Sequence, residues 1–370
     1  MLNALFLTPS VSGGPETYLR GLVPALARAR PAARLTVVTT RSGAAALRRD
    51  GWDEWAGVRE LPCEDGQRLR RTRAEQVLLP RLARRDRADV LHSLASLAPI
   101  RPLVPAAITL HDVTFVLRRT FSRTTTVGMK EIMRRAARRA DSLMAPSAAT
   151  RDEICAVFGL DRSSVAVIPH GAGRVPDVEP IPQAELRGRH RLGASRVILC
   201  VAAKRPHKNQ GLLVRALAHL EEDVVVVLAG HAEPYEDEVR AQAADIGVED
   251  RVRFLEFVPD AELEGLWRLA DCAAFPTLGE GFGLPVIEAM ARGVPVACSD
   301  LRVLREVGGD VAHYFPPDDP AAAAAAIQAA RVDAAARSAG PRRAAAYTWE
   351  ESARLHWEAY ERALAHHTRA

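Results

Sequence analysis

Two glutamates, Glu280 and Glu288, stand with seven residues between them in the stretch "TLGEGFGLPVIEAMARGVPV" (277–296). The apolar run "CAAFP" ahead of them reads as a buried strand, "TLGEGFG" as a loop, and "LPVIEAMARG" as a helix ending at Gly293. Glu280 therefore falls in a loop where Gly281 and Gly283 permit close backbone approach, and Glu288 falls on the helix that follows. A carboxylate accepts hydrogen bonds at both oxygens and suits neighbouring sugar hydroxyls, so this pair could hold two parts of one elongated ligand. The spacing by itself equally fits a loop charge and a solvent-facing helix residue.

A second set is cationic. In "VAAKRPHKNQGLL" (201–213), Lys204, Arg205, His207 and Lys208 crowd a strand-to-helix turn, with Asn209 at the N-cap position. A diphosphate would be neutralised there by charge and by the helix dipole. Only three of the fifty basic residues are lysines, so a lysine is the unusual choice in this chain. A third set, "TPSVSGGPETYLRGL", carries Gly13 and Gly14 into a helix that begins near Pro15, which offers unpaired N–H groups to an anion. It is not G-x-G-x-x-G, and no acidic residue ends the next strand, "RLTVVTT", so a nicotinamide site is poorly supported. His92 ("VLHS") and His111 ("TLHD") each close a strand, and His111 beside Asp112 is the better candidate for chemistry. No His or carboxylate spacing argues for a metal.

The elements that must position these groups alternate along the chain. Apolar runs at 2–8, 34–40, 88–93, 106–112, 142–147 and 164–169 are separated by helix-like segments. After a Pro- and Gly-rich pause the pattern restarts at 196–203, 223–230, 251–257, 271–276 and 294–299. Continuous apolar strands separated by helices predict parallel sheets covered on both faces, in two doubly wound α/β domains. Residues 1–171 would form the first domain, 172–192 a linker and 193–345 the second domain. Residues 346–370 would form a helix, anchored by Trp349, Trp357 and Tyr360, that packs back toward the first. In such sheets ligands bind beyond the carboxyl ends of the strands, where most of the candidates lie, with Ser12 and Asp300 among them.

Charge divides unevenly: residues 1–170 carry 27 Lys and Arg against 16 Asp and Glu, within a whole-chain formal charge of +4. The five scattered cysteines, without C-x-x-C spacing, suit a reducing compartment, and no apolar run is long enough to span a membrane. The expected location is the cytoplasm, with peripheral contact at the inner face of the membrane as a further expectation.

The stretch "LGEGFGLPVIEAMARGVPVACSD" resembles the signature of retaining GT-B glycosyltransferases of family 4, the group-1 type, and the resemblance covers nearly the whole chain. "SGGPETY" is similar to that family's Gly-Gly loop, "ITLHDVTF" to its His-Asp strand end, and "VAVIPHG" to the close of its first domain. The resemblance implies two Rossmann-like domains facing across a cleft. It implies that Glu288 binds ribose hydroxyls, that Glu280 holds the donor sugar, and that Lys208 with Arg205 takes the diphosphate. The backbone at Phe282, Gly283 and Leu284 would contact sugar and phosphate, Gly13 and Gly14 would close over the phosphates, and His111 would meet the donor sugar near the reacting centre. It further implies retention of the anomeric configuration and no metal or cofactor. The donor would be a nucleotide-sugar, GDP-mannose first, with UDP-linked and deoxysugar donors open. Two departures stand out: Pro206-His207-Lys208-Asn209 lacks the usual Arg before Lys208, and Arg305 replaces a proline before Glu306.

The acceptor is open among a glycan, a lipid-linked sugar and a small molecule. The basic segment 118–139 could meet anionic lipid or be a solvated helix face, and nothing supports nucleic acid as a partner. A GT-B nucleotide-sugar epimerase and a non-catalytic sugar-nucleotide-binding protein are the alternative readings.

Overall fold

The computed structural model describes residues 1–9, 13–64, 67–117, 122–173 and 178–368. Ser10 and Ser12, in the first glycine loop, and 118–121 of the basic segment lie outside them. The chain divides into two units: Met1–Gly171 with Tyr347–Ala370, and Ala172–Ala346.

The first unit contains a seven-stranded parallel sheet of β1 (Leu2–Asn3), β2 (Thr36–Thr39), β3 (Gly57–Glu60), β4 (Leu91–Ser93), β5 (Ala106–Thr109), β6 (Ser142–Ala145) and β7 (Val165–Val167), in the order β3-β2-β1-β4-β5-β6-β7. β4, β5 and β6 are buried along their whole length, as strands covered on both faces must be. Two features depart from the apolar pattern. The run 2–8 does not continue as a strand, because the Leu5 amide turns onto Asn3 Oδ1 at 3.1 Å and the Leu7 amide onto the Ala4 carbonyl at 3.0 Å. β3 is an edge strand in which only Val58 is buried, so it presents no apolar run to read.

The second unit contains a six-stranded parallel sheet of β8 (Arg196–Val201), β9 (Val224–Ala229), β10 (Val252–Leu255), β11 (Cys272–Phe275), β12 (Val296–Ser299) and β13 (His313–Phe315), in the order β10-β9-β8-β11-β12-β13. The strand order reverses between β8 and β11, as it does between β1 and β4 in the first sheet. A crevice opens at such a reversal because the loops leaving the two strands diverge to opposite faces. The segment 172–192 belongs to this unit and carries the helix Gln183–Arg189, whose Leu186 is fully buried and whose approach is fixed by Ile181 N–H on the Ala261 carbonyl at 3.0 Å.

The terminal helix Trp349–His367 packs in the first unit against the helix Gly14–Ala29. Trp349 and Tyr360 are buried, and Trp357 Nε1 donates to the Leu26 carbonyl at 3.3 Å. Beneath this contact runs a hydrogen-bond chain whose direction is fixed from one end. His356 Nδ1 must donate to the Ser352 carbonyl (2.7 Å), so its Nε2 accepts from Tyr18 OH (2.7 Å). Tyr18 then accepts from Thr109 Oγ1 (3.0 Å), Thr109 from His92 Nε2 (2.8 Å), and His92 Nδ1 from Tyr360 OH (2.7 Å). Every donor is used once and both imidazoles are neutral.

Burial pushes the pKa of His92 well below its ordinary value and that of His356 down to about 4. In the unfolded chain both would titrate near 6.5, so below that pH the unfolded state binds protons that the folded state refuses. Stability should be independent of these groups above pH 6.5. It should fall as the pH drops from 6.5 towards 4, by about 1.4 kcal/mol per pH unit for each histidine. Urea titrations across that range check this, and an unchanged midpoint would show that the chain tolerates protonation.

Candidate functional site

The strand reversal brings two loops together beyond the carboxyl ends of β8 and β11. The carbonyl of His207 accepts from Leu278 N–H at 2.7 Å and from Thr277 Oγ1 at 3.0 Å. Asn209 Nδ2 donates to the carbonyls of Pro276 (3.0 Å) and Pro317 (2.8 Å). Asn209 thus occupies the N-cap position with its side chain turned to a different task, and no side-chain oxygen caps the helix Gln210–Ala216. Held this way, the loops bring Lys208 Nζ into a hydrogen-bonded ion pair with the Glu280 carboxylate, both side chains about four-fifths buried. A cleft beside the pair is lined by Lys208, Glu280, Gly283, Pro285, Thr277 and Ala202, among others.

The other cations of the cluster separate by role. Lys204 is fully buried, and its ammonium donates to the carbonyls of Gly230 (2.6 Å) and Leu255 and lies 3.3 Å from Glu236. It ties the loop after β8 to the ends of β9 and β10 and is withdrawn from any phosphate. Desolvation, with the charges of Lys208 and Arg205 beside it, lowers the pKa of His207 to about 3, so this imidazole is neutral and brings no charge. Arg205 pairs with Glu233 at 2.6 Å and keeps much of its side chain exposed. Of the three residues that could replace the family's missing arginine, Arg205 alone is both charged and accessible.

Past Glu280 the chain turns through Gly283 (φ 95°) into the helix Leu284–Ala291, which begins without a side-chain cap. The left-handed φ requires glycine there. Phe282 and Leu284 are buried, so their side chains belong to the packing of this loop and offer a ligand no polar group. Glu288 lies one turn beyond Pro285 on that helix and is not among the residues lining the Lys208–Glu280 cleft. Its carboxylate packs on Gly173, where an added Cβ would fall 2.3 Å from Oε1. It has no hydrogen-bond or ion-pair partner among the described residues. Its pKa is raised by burial and by Glu264, while Arg292 pulls the other way. Arg292 is itself held by Glu264, at 2.9 Å and 3.0 Å, and donates to the Glu288 carbonyl rather than to its carboxylate. A half-buried carboxylate left without internal donors in this way is costly unless a ligand supplies them.

Further along, the helix Arg302–Gly308 starts without a side-chain cap, and Arg305 pairs with Asp300 instead.

In the first unit Gly13 precedes the helix Gly14–Ala29 with φ 57° and accepts from the amides of Glu16 (2.9 Å) and Thr17 (3.1 Å). Tyr18 of that helix packs edge-on against His111, ring centroids 4.7 Å apart. His111 Nε2 donates to the Leu94 carbonyl at 2.6 Å, which leaves Nδ1 to accept from His170 Nε2 at 3.2 Å. Both ring nitrogens are thus engaged within the protein. His92 is buried in the hydrogen-bond chain above and belongs to the core. Sequence reasoning missed His170, Glu233 and the contact of Gly173 with Glu288. Each pairs residues 28 to 115 positions apart, which periodicity does not register.

Residues 12–172 match the family model described as Glycosyltransferase Family 4, and residues 183–341 the model described as Glycosyl transferases group 1. The chain is 32% identical over 197 residues to an MMP alpha-(1->4)-mannosyltransferase of Mycolicibacterium hassiacum, covering 52% of this chain and 46% of that protein. It is 26% identical over 222 residues to the O-antigen chain mannosyltransferase RfbU of Salmonella typhimurium, covering 60% and 59%. With a D-inositol 3-phosphate glycosyltransferase of Xylanimonas cellulosilytica it shares 32% identity over 242 residues, covering 60% and 57%. The matches thus span about half the length of these curated relatives. Among solved structures, HepE of Anabaena in complex with UDP and glucose superposes with a TM-score of 0.76 at 21% identity, covering 96% of this chain and 97% of that one. A sucrose-phosphate synthase from Thermosynechococcus elongatus does so with a TM-score of 0.77 at 19%, covering 97% of each. At these identities the likeness is one of fold.

The two lysines of the loop should separate cleanly on mutation. Lys204→Met strands a buried carboxylate and two carbonyls and should cost roughly 3 kcal/mol in chemical denaturation. Lys208→Met also leaves a largely buried carboxylate, Glu280, without its partner, but that carboxylate borders the cleft and no carbonyls are stranded with it, so it should cost less than Lys204→Met. Equal losses would mean that Lys208 is structural too.

Proposed function

The chain belongs to the glycosyl transferases group 1, of family 4, with the GT-B fold, and from that premise we propose that it transfers a hexose, mannose first, from a GDP- or UDP-linked sugar to an acceptor hydroxyl. The acceptor is a glycan, a lipid-linked sugar or a small molecule. The observation that carries this reading is the Lys208–Glu280 pair at the β8/β11 reversal, with Glu288 open one helical turn past the cleft. A cation for a diphosphate beside a carboxylate for a sugar, with a second carboxylate for a ribose diol further along the following helix, offers one recognition group for each part of a nucleotide-sugar. The names of the mannosyltransferase relatives favour mannose.

In this reading Lys208 and Arg205 neutralise the diphosphate as the bond from the sugar's C1 to the phosphate oxygen breaks. The bond from C1 to the acceptor oxygen forms on the same face, with retention, and the acceptor's proton passes to the leaving phosphate. Phe282, Gly283 and Leu284 contribute backbone groups, Gly13 and Gly14 serve the donor phosphates, and His111 serves the donor sugar. Because both His111 ring nitrogens are engaged, its role is to shape the surface and not to relay a proton. The reading calls for no metal and no cofactor. No helix among the described residues is long and apolar enough to cross a membrane. The five cysteines are free and buried, which favours the reducing cytoplasm. Peripheral contact with an anionic membrane through 118–139 belongs to the same reading, supported by the basic helix Arg123–Ala137.

GDP or UDP should raise the thermal midpoint, whereas NAD should not. Glu288→Ala should weaken nucleotide binding at least about tenfold. Glu280→Ala should leave that binding intact or tighter, because it frees Lys208, and should abolish donor hydrolysis and transfer read by mass spectrometry. The reverse pattern would show that the two carboxylates have been assigned the wrong way round.

A further inference from the structure

The first unit carries a second concentration of charge, which overlaps the end of the basic segment 118–139 and defines a site more specific than the peripheral membrane contact proposed above. Arg101, Arg134, Arg135, Arg138 and Arg139, with Gln76 and Ile100, line an open basin of about 580 Å³. Arg134 and Arg135 end the helix Arg123–Ala137, Arg138 and Arg139 lead into β6, and Arg101 lies on the loop leading into β5. The basin therefore sits toward the amino ends of these strands, whereas His111 follows the carboxyl end of β5.

The basin is built. Gln76 clamps the loop, donating from Nε2 to the Ala98 carbonyl and accepting from Ile100 N–H, each at 2.9 Å. Arg139 Nη1 donates to the Ile100 carbonyl at 3.2 Å, and Arg138 Nη2 to the Phe158 carbonyl at 3.3 Å. Its charge is not balanced from within. Glu131 is the one carboxylate that pairs with these arginines among the described residues, at 2.8 Å to Arg134 and 2.5 Å to Arg135. Asp141, close by in sequence, is occupied by the Ala106 amide at 2.8 Å and lies 3.2 Å from His366. Arginines in a last helical turn are ordinarily explained by the helix dipole, but that end supplies only about half a negative charge. Five guanidinium groups face one carboxylate and that fraction, which leaves an excess of more than three positive charges.

We propose that this basin is a binding site for a phosphate group bearing two or more negative charges, a phosphomonoester or a diphosphate. Guanidinium forks match phosphate oxygens in pairs, and a concave setting gathers several forks around one group. Among the described residues the lining holds no aromatic side chain on which a nucleic-acid base could stack, which disfavours a single strand as the occupant. A lipid headgroup and a free soluble phosphate share this chemistry.

The test uses the full chain and compares Arg101→Gln/Arg135→Gln with Arg49→Gln/Arg85→Gln, which removes the same charge from exposed sites elsewhere in the unit. Inorganic pyrophosphate is titrated by calorimetry. Sedimentation is measured with phosphatidylcholine vesicles carrying phosphatidic acid, and with vesicles carrying phosphatidylserine. Thermal midpoints establish that all variants fold, and donor hydrolysis should be unaltered in the basin variant, so that loss of the diphosphate response cannot be assigned to Lys208 and Arg205. The basin variant should lose roughly tenfold or more in affinity for pyrophosphate, for phosphatidic-acid vesicles, or for both, and the control pair less than about twofold. Loss on the vesicles identifies a lipid-borne phosphate, and loss on pyrophosphate alone a soluble one. Equal losses in the two pairs, no saturable binding of either ligand, or tighter basin-dependent binding of an RNA oligomer would overturn the proposal.

Discussion

The reversal of strand order between β8 and β11 is the constraint on which the second unit's chemistry depends. It makes adjacent strands send their loops to opposite faces, and the gap left between those loops is the only reason that residues 72 positions apart, Lys208 and Glu280, can share a hydrogen bond. The loops do not hold themselves open. The His207 carbonyl and the Asn209 amide lash one to the other through backbone groups, so the charged side chains are positioned by bonds in which they take no part. Side chains set on a framework of this kind keep their geometry when a ligand changes their charge.

Ionisable groups in this protein divide into those that are spent on the fold and those that are left open. Lys204 and His356 are fully enclosed and satisfied, each by groups that need one particular protonation state. Glu288 is half-buried and has no partner among the described residues. The contrast matters because burial alone raises or lowers a pKa in both cases, and perturbed titration by itself would have pointed to all three. The presence or absence of an internal partner separates structure from binding.

Much of the fold was legible because strands buried on both faces must be apolar throughout, and β5, β6, β8, β9, β11 and β12 all carry that mark. Of the four edge strands, β7 and β10 keep a readable apolar run, whereas β3, in which Val58 alone is buried, and β13, three residues with Phe315 alone buried, do not. Within the candidate site the glycine loop and the carboxylate spacing could be read, because φ and helical phase are local properties. Lys204 could not be told from Lys208 by any local rule. Both follow the same strand, four residues apart, and only the distant carbonyls of Gly230 and Leu255 draw one of them into the core. The histidines were equally ambiguous: His92 and His111 close neighbouring strands, and their different fates are set by Tyr360 and His170.

The ion pair between Lys208 and Glu280 has a consequence for how a donor would be received. As the pair stands, the lysine charge is spent on a carboxylate that is itself largely desolvated, so neither group is free to meet a ligand without the other losing its partner. On the proposed reading a diphosphate is the one ligand that resolves this at low cost. It replaces the single charge of Glu280 with a larger one at Lys208, and in the same event releases the carboxylate toward the sugar hydroxyls beside it. A free sugar offers Lys208 nothing, and a nucleoside without phosphate leaves the pair closed. Selectivity for the activated sugar over its parts would then arise from the exchange of partners within the crevice, before any group particular to the base or the hexose is read.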